Sequence, residues 1–316
     1  MVIDMATNCA PIVISVYDRV EHLQKCIESL KHNPWSQHSD LFIVSDAAHT
    51  ESHVARINKV REFIGQIKGF NRVVPFNRKT NLGSFLSVKD AIDAVISDYG
   101  KLIFLEDDNI VAPNFLSFLN DGLAFYQNDP SVFSISGYNY PVTIPTSYQH
   151  DVYKWQGFTA WGVGLWADRW QAVSWNYAGF DEMTASRKRE LDRIAEHLYR
   201  YISYDIAHDR LIIDTVISYW LFVNSQCSIF PVISKVRNTG SDGTGEHSSV
   251  TDLYLQQPMD SGLPYHFVHD LQPDERVNKA LRRHFKTPFK AKIMMAVSPY
   301  IPTHHKQGLK KLLSSR

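Results

Sequence analysis

Apolar positions in the first half of the chain fall into short continuous runs separated by stretches with helical spacing. Residues 11–17 (Pro-Ile-Val-Ile-Ser-Val-Tyr) form one run, and Val20, Leu23, Ile27 and Leu30 then recur every three or four positions. The run predicts a strand buried on both faces, and the recurrence predicts a helix with one apolar side. The unit repeats. Residues 41–44 predict a second strand ending in Ser45-Asp46, with a polar helix over about 51–64, and 72–76 predict a third strand. Asn81-Leu82-Gly83-Ser84 opens a helix whose Phe85, Leu86, Ile92, Val95 and Ile96 share one face. A fourth run, 101–105, breaks into Glu106, Asp107 and Asp108. Phe115, Leu116, Leu119, Leu123 and Phe125 then resume a helical period, followed by a strand over 132–138. Strands alternating with helices of this length imply a parallel sheet joined by right-handed crossovers.

Beyond residue 138 the pattern changes. Residues 139–181 carry Trp155, Trp161, Trp166, Trp170 and Trp175 among Gly157, Gly162, Gly164 and Gly179, with no long period. Aromatics interleaved with glycine suit either sugar stacking or a loop-rich second core. A charged helix is predicted over 182–201. Leu211, Ile212, Thr215, Val216, Tyr219 and Phe222 predict an amphipathic helix bearing Asp214, and 228–232 a short final strand. Residues 237–249, rich in Gly, Ser and Thr, read as a loop ordered by a ligand or as a surface linker.

From residue 276 onward the chain is basic and has no acidic residue, with Leu281, Phe285, Phe289, Ile293, Met294 and Val297 interspersed. That segment reads as an interfacial helix drawn to anionic lipid, as a solvated tail, or as a partner-binding arm. Over the whole chain the 33 Lys and Arg are balanced by 33 Asp and Glu, which argues against a whole-surface polyanion binder, so no nucleic-acid partner is expected. Cys9, Cys26 and Cys227 are far apart and lack metal-binding spacing, so a reducing compartment and no structural disulfide are expected. No signal-peptide pattern and no apolar run of about 18 residues occurs. The expected location is cytoplasmic, with peripheral contact at the inner face of a membrane through residues 276–316.

Glu106, Asp107 and Asp108 carry the sharpest chemistry. Three consecutive acids at a strand end repel one another, and a divalent cation held by oxygen ligands would offset that charge where open α/β sheets bind ligands. The competing reading has one acid capping the helix that begins near Pro113, with the others solvated.

Taken in order, these segments resemble a GT-A glycosyltransferase, particularly the bacterial family 2-like enzymes and their relatives around N-acetylglucosaminyltransferase I. Pro-Ile-Val-Ile-Ser-Val-Tyr-Asp-Arg resembles the first nucleotide-binding strand, with Asp18 where such families often carry Asn. Val44-Ser45-Asp46 resembles the second strand end, Asn81-Leu82-Gly83 the Asn-x-Gly segment beside the diphosphate, and Leu105-Glu106-Asp107-Asp108 the acidic metal motif. Thr159 through Ala167 resembles the Gly/Trp-rich acceptor segment, and Asn238-Thr239-Gly240 through His247-Ser248 the C-terminal donor loop. The likeness spans about residues 11–250.

The resemblance implies a Rossmann-like α/β fold: a mostly parallel central sheet flanked by helices, a helical, aromatic-rich acceptor region and basic C-terminal helices. Residues 1–138 would bind the nucleotide sugar, 139–260 would form the acceptor-binding and catalytic half of the same domain, and 261–316 a basic extension. Ser15, Tyr17, Arg19, Asp46, Asn81, Gly83, Lys89, Glu106 and Asp107 are the implied donor-binding residues, with Lys89 or Arg78 standing in for the family's customary Arg. Trp161, Gly162 and Trp166 are the implied acceptor contacts. Asp108 would bind Mn2+ or Mg2+, and His247 would be a second ligand, a phosphate contact or merely solvated. Asp214 is the implied base of an inverting transfer, with Asp205 and Asp209 as alternatives and a plain helix-terminal acid as the bland reading. The implied reaction moves a sugar from a nucleotide-diphosphate sugar, UDP-linked by preference, to a glycan or lipid-linked acceptor in bacterial surface-polysaccharide synthesis. A sugar nucleotidyltransferase and a non-catalytic sugar-binding protein are the alternatives.

Overall fold

The computed structural model describes residues 9–243 and 254–286. Four strand–helix units open the chain: β1 (Ile12–Val16), α1 (Val20–Lys31), β2 (Asp40–Ser45), α2 (Glu51–Ile64), β3 (Arg72–Asn77), α3 (Gly83–Tyr99) and β4 (Lys101–Glu106), then the short β5 (Asn109–Val111) and α4 (Phe115–Phe125). The second half adds β6 (Val132–Ser136), β7 (Val152–Trp155), β8 (Val163–Trp166), α5 (Ala167–Ala172), α6 (Ala185–Leu191), α7 (Leu198–Ala207) and α8 (Ile213–Asn224). It closes with β9 (Cys227–Pro231), β10 (Val236–Asn238) and α9 (Glu275–His284).

Eight strands form one sheet in the order β3-β2-β1-β4-β8-β6-β9-β7. β3, β2, β1 and β4 run parallel, as do β6 and β9, while β8 and β7 run against their neighbours. The sheet therefore continues across residue 138. Alternation along the strands divides the core in two. Val13, Phe42, Val44, Leu102 and Phe104 face α3 and α8, whereas Ile12, Ile14, Leu41, Ile43, Ile103 and Leu105 face α1, α2 and α4. Strand order reverses beside β1, since β2 lies on one side and β4 on the other. Such a reversal leaves a crevice at the strands' carboxyl ends.

Three expectations are corrected. The charged helix over 182–201 is two helices, α6 and α7, and His197 between them takes φ 72°. The aromatic region holds two four-residue strands, β7 and β8, whose every position is buried. Strands this short and buried show no alternation by which to recognise them. The strand near 228–232 is not the last: β10 follows and pairs antiparallel with β5, setting Asn238 opposite Asn109.

The segment after residue 254 packs back onto the domain. Tyr265 and Phe267 lie 5.0 Å from the Phe118 ring, and His269 stacks on Phe125 at 4.0 Å. Beneath them Lys235 and Asp260 form an ion pair at 2.5 Å with side chains only 3% and 4% exposed. Removing one partner of such a pair leaves a buried charge uncompensated. Lys235→Met is therefore expected to lower the unfolding free energy by about 3–5 kcal/mol, read by urea denaturation. A loss below about 1 kcal/mol would give the pair the weight of a surface contact.

The apolar side of α9 is covered by the protein itself: Val277 and Leu281 are buried in the core, and Phe285 stacks on Trp155 at 5.6 Å. An interfacial role for the basic segment would therefore rest on residues 287–316, which lie outside the described residues. Among the described residues no helix is long and apolar enough to cross a membrane.

Candidate active site

β1 and β4 pair so that Ser15 lies opposite Glu106, and the ladder extends one step further as Asp107 N–H donates to the Ser15 carbonyl at 3.1 Å. The three acids therefore emerge at the switch-point crevice. None of them caps α4, which begins after Asn114 without a side-chain cap. Asp107 and Asp108 are buried and converge on Arg19, just beyond β1. Arg19 Nη2 contacts Asp107 Oδ1 and sits 2.8 Å from Asp108 Oδ2, while Nε donates to Asp107 Oδ2 at 3.3 Å.

Asp108 is held from four further directions. Its Oδ1 accepts from Asn109 Nδ2 at 3.0 Å and Asn238 Nδ2 at 2.6 Å. Its carbonyl accepts from Thr239 N–H at 2.8 Å and Thr239 Oγ1 at 2.9 Å. Gly240 then passes so close that a Cβ there would fall 2.1 Å from Asp108 Oδ2, so no larger residue fits without moving the loop. Further along the same loop, His22 Nε2 meets Asp242 at 3.2 Å. The β5–β10 ribbon thus carries the later loop onto the acids.

Electrostatics marks the same place. Burial pushes the Glu106 carboxyl well above its ordinary range, with Asp108, Asp214 and Asp107 adding to the effect and Arg19 opposing it. Burial also raises Asp107 to about 7 against the pull of Arg19. Burial works against the Arg19 charge, but Asp107 and Asp108 more than offset it and hold the guanidinium above its ordinary value. Asp214, in the first turn of α8, is raised to about 7 by burial, and the Ala160 N–H that it accepts at 3.0 Å opposes the shift. Ala160 precedes β8 at the sheet end where the acids emerge, so its bond to Asp214 brings the start of α8 to that end. Asp205 is buried, with Thr215 Oγ1 donating at 3.2 Å, and Asp209 lies exposed in the turn after α7. Neither is placed as Asp214 is.

The remaining expected residues divide. Tyr17 OH bonds His53 Nδ1 at 2.7 Å and accepts from His49 N–H at 2.9 Å, at the carboxyl ends of β1 and β2. Asp46 accepts from the N–H groups of Ala47, Leu82 and Gly83, so its carboxylate ties the Asn81-Leu82-Gly83 turn to β2. Asn81 completes that tie through Ala47 O at 2.7 Å. Trp161 and Gly162 sit just before β8, beyond the register pair Phe104–Val163, at the same sheet end as the acids. Trp161 is half-buried, edge-on to Tyr138 at 4.9 Å and Tyr254 at 5.4 Å. Gly162 takes φ 77° against Val236 and Phe115.

Two expected residues are placed away from the acids or held by other partners. Trp166 pairs with Lys101 at the opposite end of β4, is buried, and donates Nε1 to Leu123 O at 3.2 Å. Because β8 runs antiparallel to β4, five residues along the chain carry it from the acid end to the far end of the strand. Lys89 is bound to Asp93 at 2.6 Å and lies 5.1 Å from the Trp175 ring, while Arg78 is held by Asp90 at 2.6 Å and by Ser87 O at 2.8 Å. The cation that reaches the acids is Arg19. His247 lies outside the described residues. Sequence reasoning missed the grip of Asn109 and Asn238 on Asp108 and the pairing of His53 with Tyr17. Asn109 beside the acids was the one local signal.

This sheet order, with acids leaving the fourth strand at a switch point, defines a GT-A-like α/β enzyme architecture. The family model described as GNT-I family matches residues 2–204. The chain belongs to that family and is a glycosyltransferase, which sets aside the nucleotidyltransferase and non-catalytic alternatives. Asp214, Asn238 and Gly240 lie beyond the matched residues, so their roles rest on geometry. No curated protein matches the sequence. Solved structures similar to it include the mannosyltransferase PcManGT from Pyrobaculum calidifontis in complex with GDP-Man and Mn2+, at 8% identity over 68% of this chain and 69% of that one, TM-score 0.36. S. aureus TarS is similar at 11% identity over 74% of this chain, TM-score 0.38, and the match spans 37% of the TarS chain. TarS 1–349 is similar at 8% identity, covering 74% and 61% of the two chains, TM-score 0.40.

Proposed function

We propose that the chain transfers a sugar, with inversion, from a nucleotide-diphosphate sugar to a hydroxyl of a glycan or lipid-linked acceptor, with a divalent cation at Asp108. The observation that carries this reading is the convergence of Asp107 and Asp108 on one group at the switch point, with Asp214 tied by the Ala160 N–H to the same end of the sheet. The donor set suits a hard cation, because carboxylate oxygens of Asp107 and Asp108 already converge on one positive group, Arg19 Nη2. Among the described residues no three His, Cys, Asp or Glu side chains form a ready cage. A cation held by one or two carboxylates and completed by phosphate oxygens fits that economy. When bound it would stabilise the charge that grows on the departing nucleoside diphosphate.

The chain's own groups supply the rest. Asn109, Asn238 and Thr239 fix the orientation of Asp108 before the donor arrives, so little reorganisation remains for the reaction itself. Asp214 removes the proton from the attacking hydroxyl, and burial tunes it to the pH at which a base is both ionised and strong enough to act. In this reading residues 1–138 hold the donor, with Ser15, Tyr17, Arg19 and the Asp46-braced turn around the nucleotide, and 139–260 present Trp161 and Gly162 to the acceptor. UDP is the expected nucleotide, and surface polysaccharide the expected product. The basic residues beyond 286 would hold the enzyme at an anionic membrane. NMR of the product's anomeric proton tests the stereochemistry, and a retained configuration would remove Asp214 as base. Co-sedimentation with anionic vesicles tests the membrane contact, and equal binding to neutral vesicles would remove it.

A further inference from the structure

The positive charge between the acids comes from inside the chain. Asp108 Oδ1 is occupied by two side-chain amides, so Oδ2 is the carboxylate oxygen left to a cation, and Arg19 Nη2 holds it at 2.8 Å. The same nitrogen contacts Asp107, and a Cβ on Gly240 would lie 3.3 Å from Arg19 Nη1, so the loop closes over the guanidinium. Oxygen-bound divalent cations sit about 2.0–2.6 Å from their ligands. A cation at that distance from Oδ2 and a guanidinium nitrogen at 2.8 Å compete for one place, and the two positive charges repel.

We infer that Arg19 is a resident counter-ion in the cation's seat, and that a nucleoside diphosphate opens the seat by drawing the guanidinium onto its phosphates. The inference rests on the metal-dependent reading above. An arginine fork matches phosphate oxygens as well as carboxylates, so Arg19 can exchange one anionic partner for another without losing its charge pairing. The free chain then binds the divalent cation weakly, and nucleotide and cation favour each other's entry. Until the donor is present, Arg19 keeps the two acids closed to solvent cations.

The test follows the free-Mn2+ electron paramagnetic resonance signal while the full chain is titrated, with no nucleotide and then with UDP or GDP. Without nucleotide, Arg19→Gln and Arg19→Met should bind Mn2+ at least about tenfold more tightly than wild type, and Arg19→Lys should stay near wild type because the charge is kept. The nucleoside diphosphate should strengthen Mn2+ binding by a larger factor in wild type than in the neutral variants. Near-UV circular dichroism checks that each variant is folded, and two neutral replacements guard against the loss of either one. If folded neutral variants bind Mn2+ no more tightly than wild type, while wild type with nucleotide binds it in an Asp108-dependent way, Arg19 does not hold the seat and the inference alone fails. If Asp108→Ala leaves Mn2+ binding unchanged with nucleotide present, both the metal reading and the inference fail.

Discussion

Asp214→Asn should lower sugar transfer by about 10²–10⁴-fold, the usual contribution of a positioned general base, while donor affinity stays within a factor of about two. Asn keeps the shape and can still accept the Ala160 N–H, so the substitution removes the base and little else. The same residue sets the pH profile. With Asp214 raised to about 7, turnover should climb with pH through that value and level off above it, and the climb should shrink in the variant to what Asp107, also raised to about 7, contributes. Stability should move the opposite way. A carboxyl whose folded value is raised holds its proton in the folded chain over the range where the unfolded chain has released it. Its ionisation therefore costs stability as pH rises from the ordinary carboxylate range to about 7. Asp214→Asn should match or exceed wild-type resistance to urea at pH 8. A variant that is both inactive and markedly less stable would mark Asp214 as a structural acid.

The second large effect is expected at Asp108. Asp108→Ala removes the carboxylate on which Arg19, Asn109 and Asn238 converge, and should lower transfer by about 10²–10³-fold. Chelation of divalent cations should cost wild type a comparable factor and the variant almost nothing more. Two perturbations of one interaction do not add. Full additivity between chelator and substitution would place the cation elsewhere.

Much of this arrangement was legible from residue order. The first four strands and their helices showed because each strand is a continuous apolar run and each helix keeps one apolar face. The acids stood out because charge breaks off a buried run abruptly. What stayed hidden depends on partners remote in sequence. Asn238 and Asp108 are 130 positions apart and meet only because β10 pairs with β5. Trp166 looked like part of the acceptor segment because it follows Trp161 closely, and only the reversed direction of β8 sends it to the other end of the sheet. Lys89 and Arg78 offered charge at the right point of the chain, yet carboxylates of α3, Asp93 and Asp90, take both, leaving the acids to Arg19. Asp46 reads as a ligand-facing acid until three backbone N–H donors are counted around it. The helix expected over 182–201 breaks after Leu191 and resumes only past His197, whose left-handed backbone no periodicity announces.

The purified 316-residue chain incubated with Mn2+ and a panel of sugar nucleotides, with release of nucleoside diphosphate as the readout, tests the transfer site as a whole. Wild type should release nucleoside diphosphate from one donor class, lose that activity on chelation, and lose it equally through Asp108→Ala. Release that survives both chelation and Asp108→Ala would contradict a cation-assisted transfer at the end of β4.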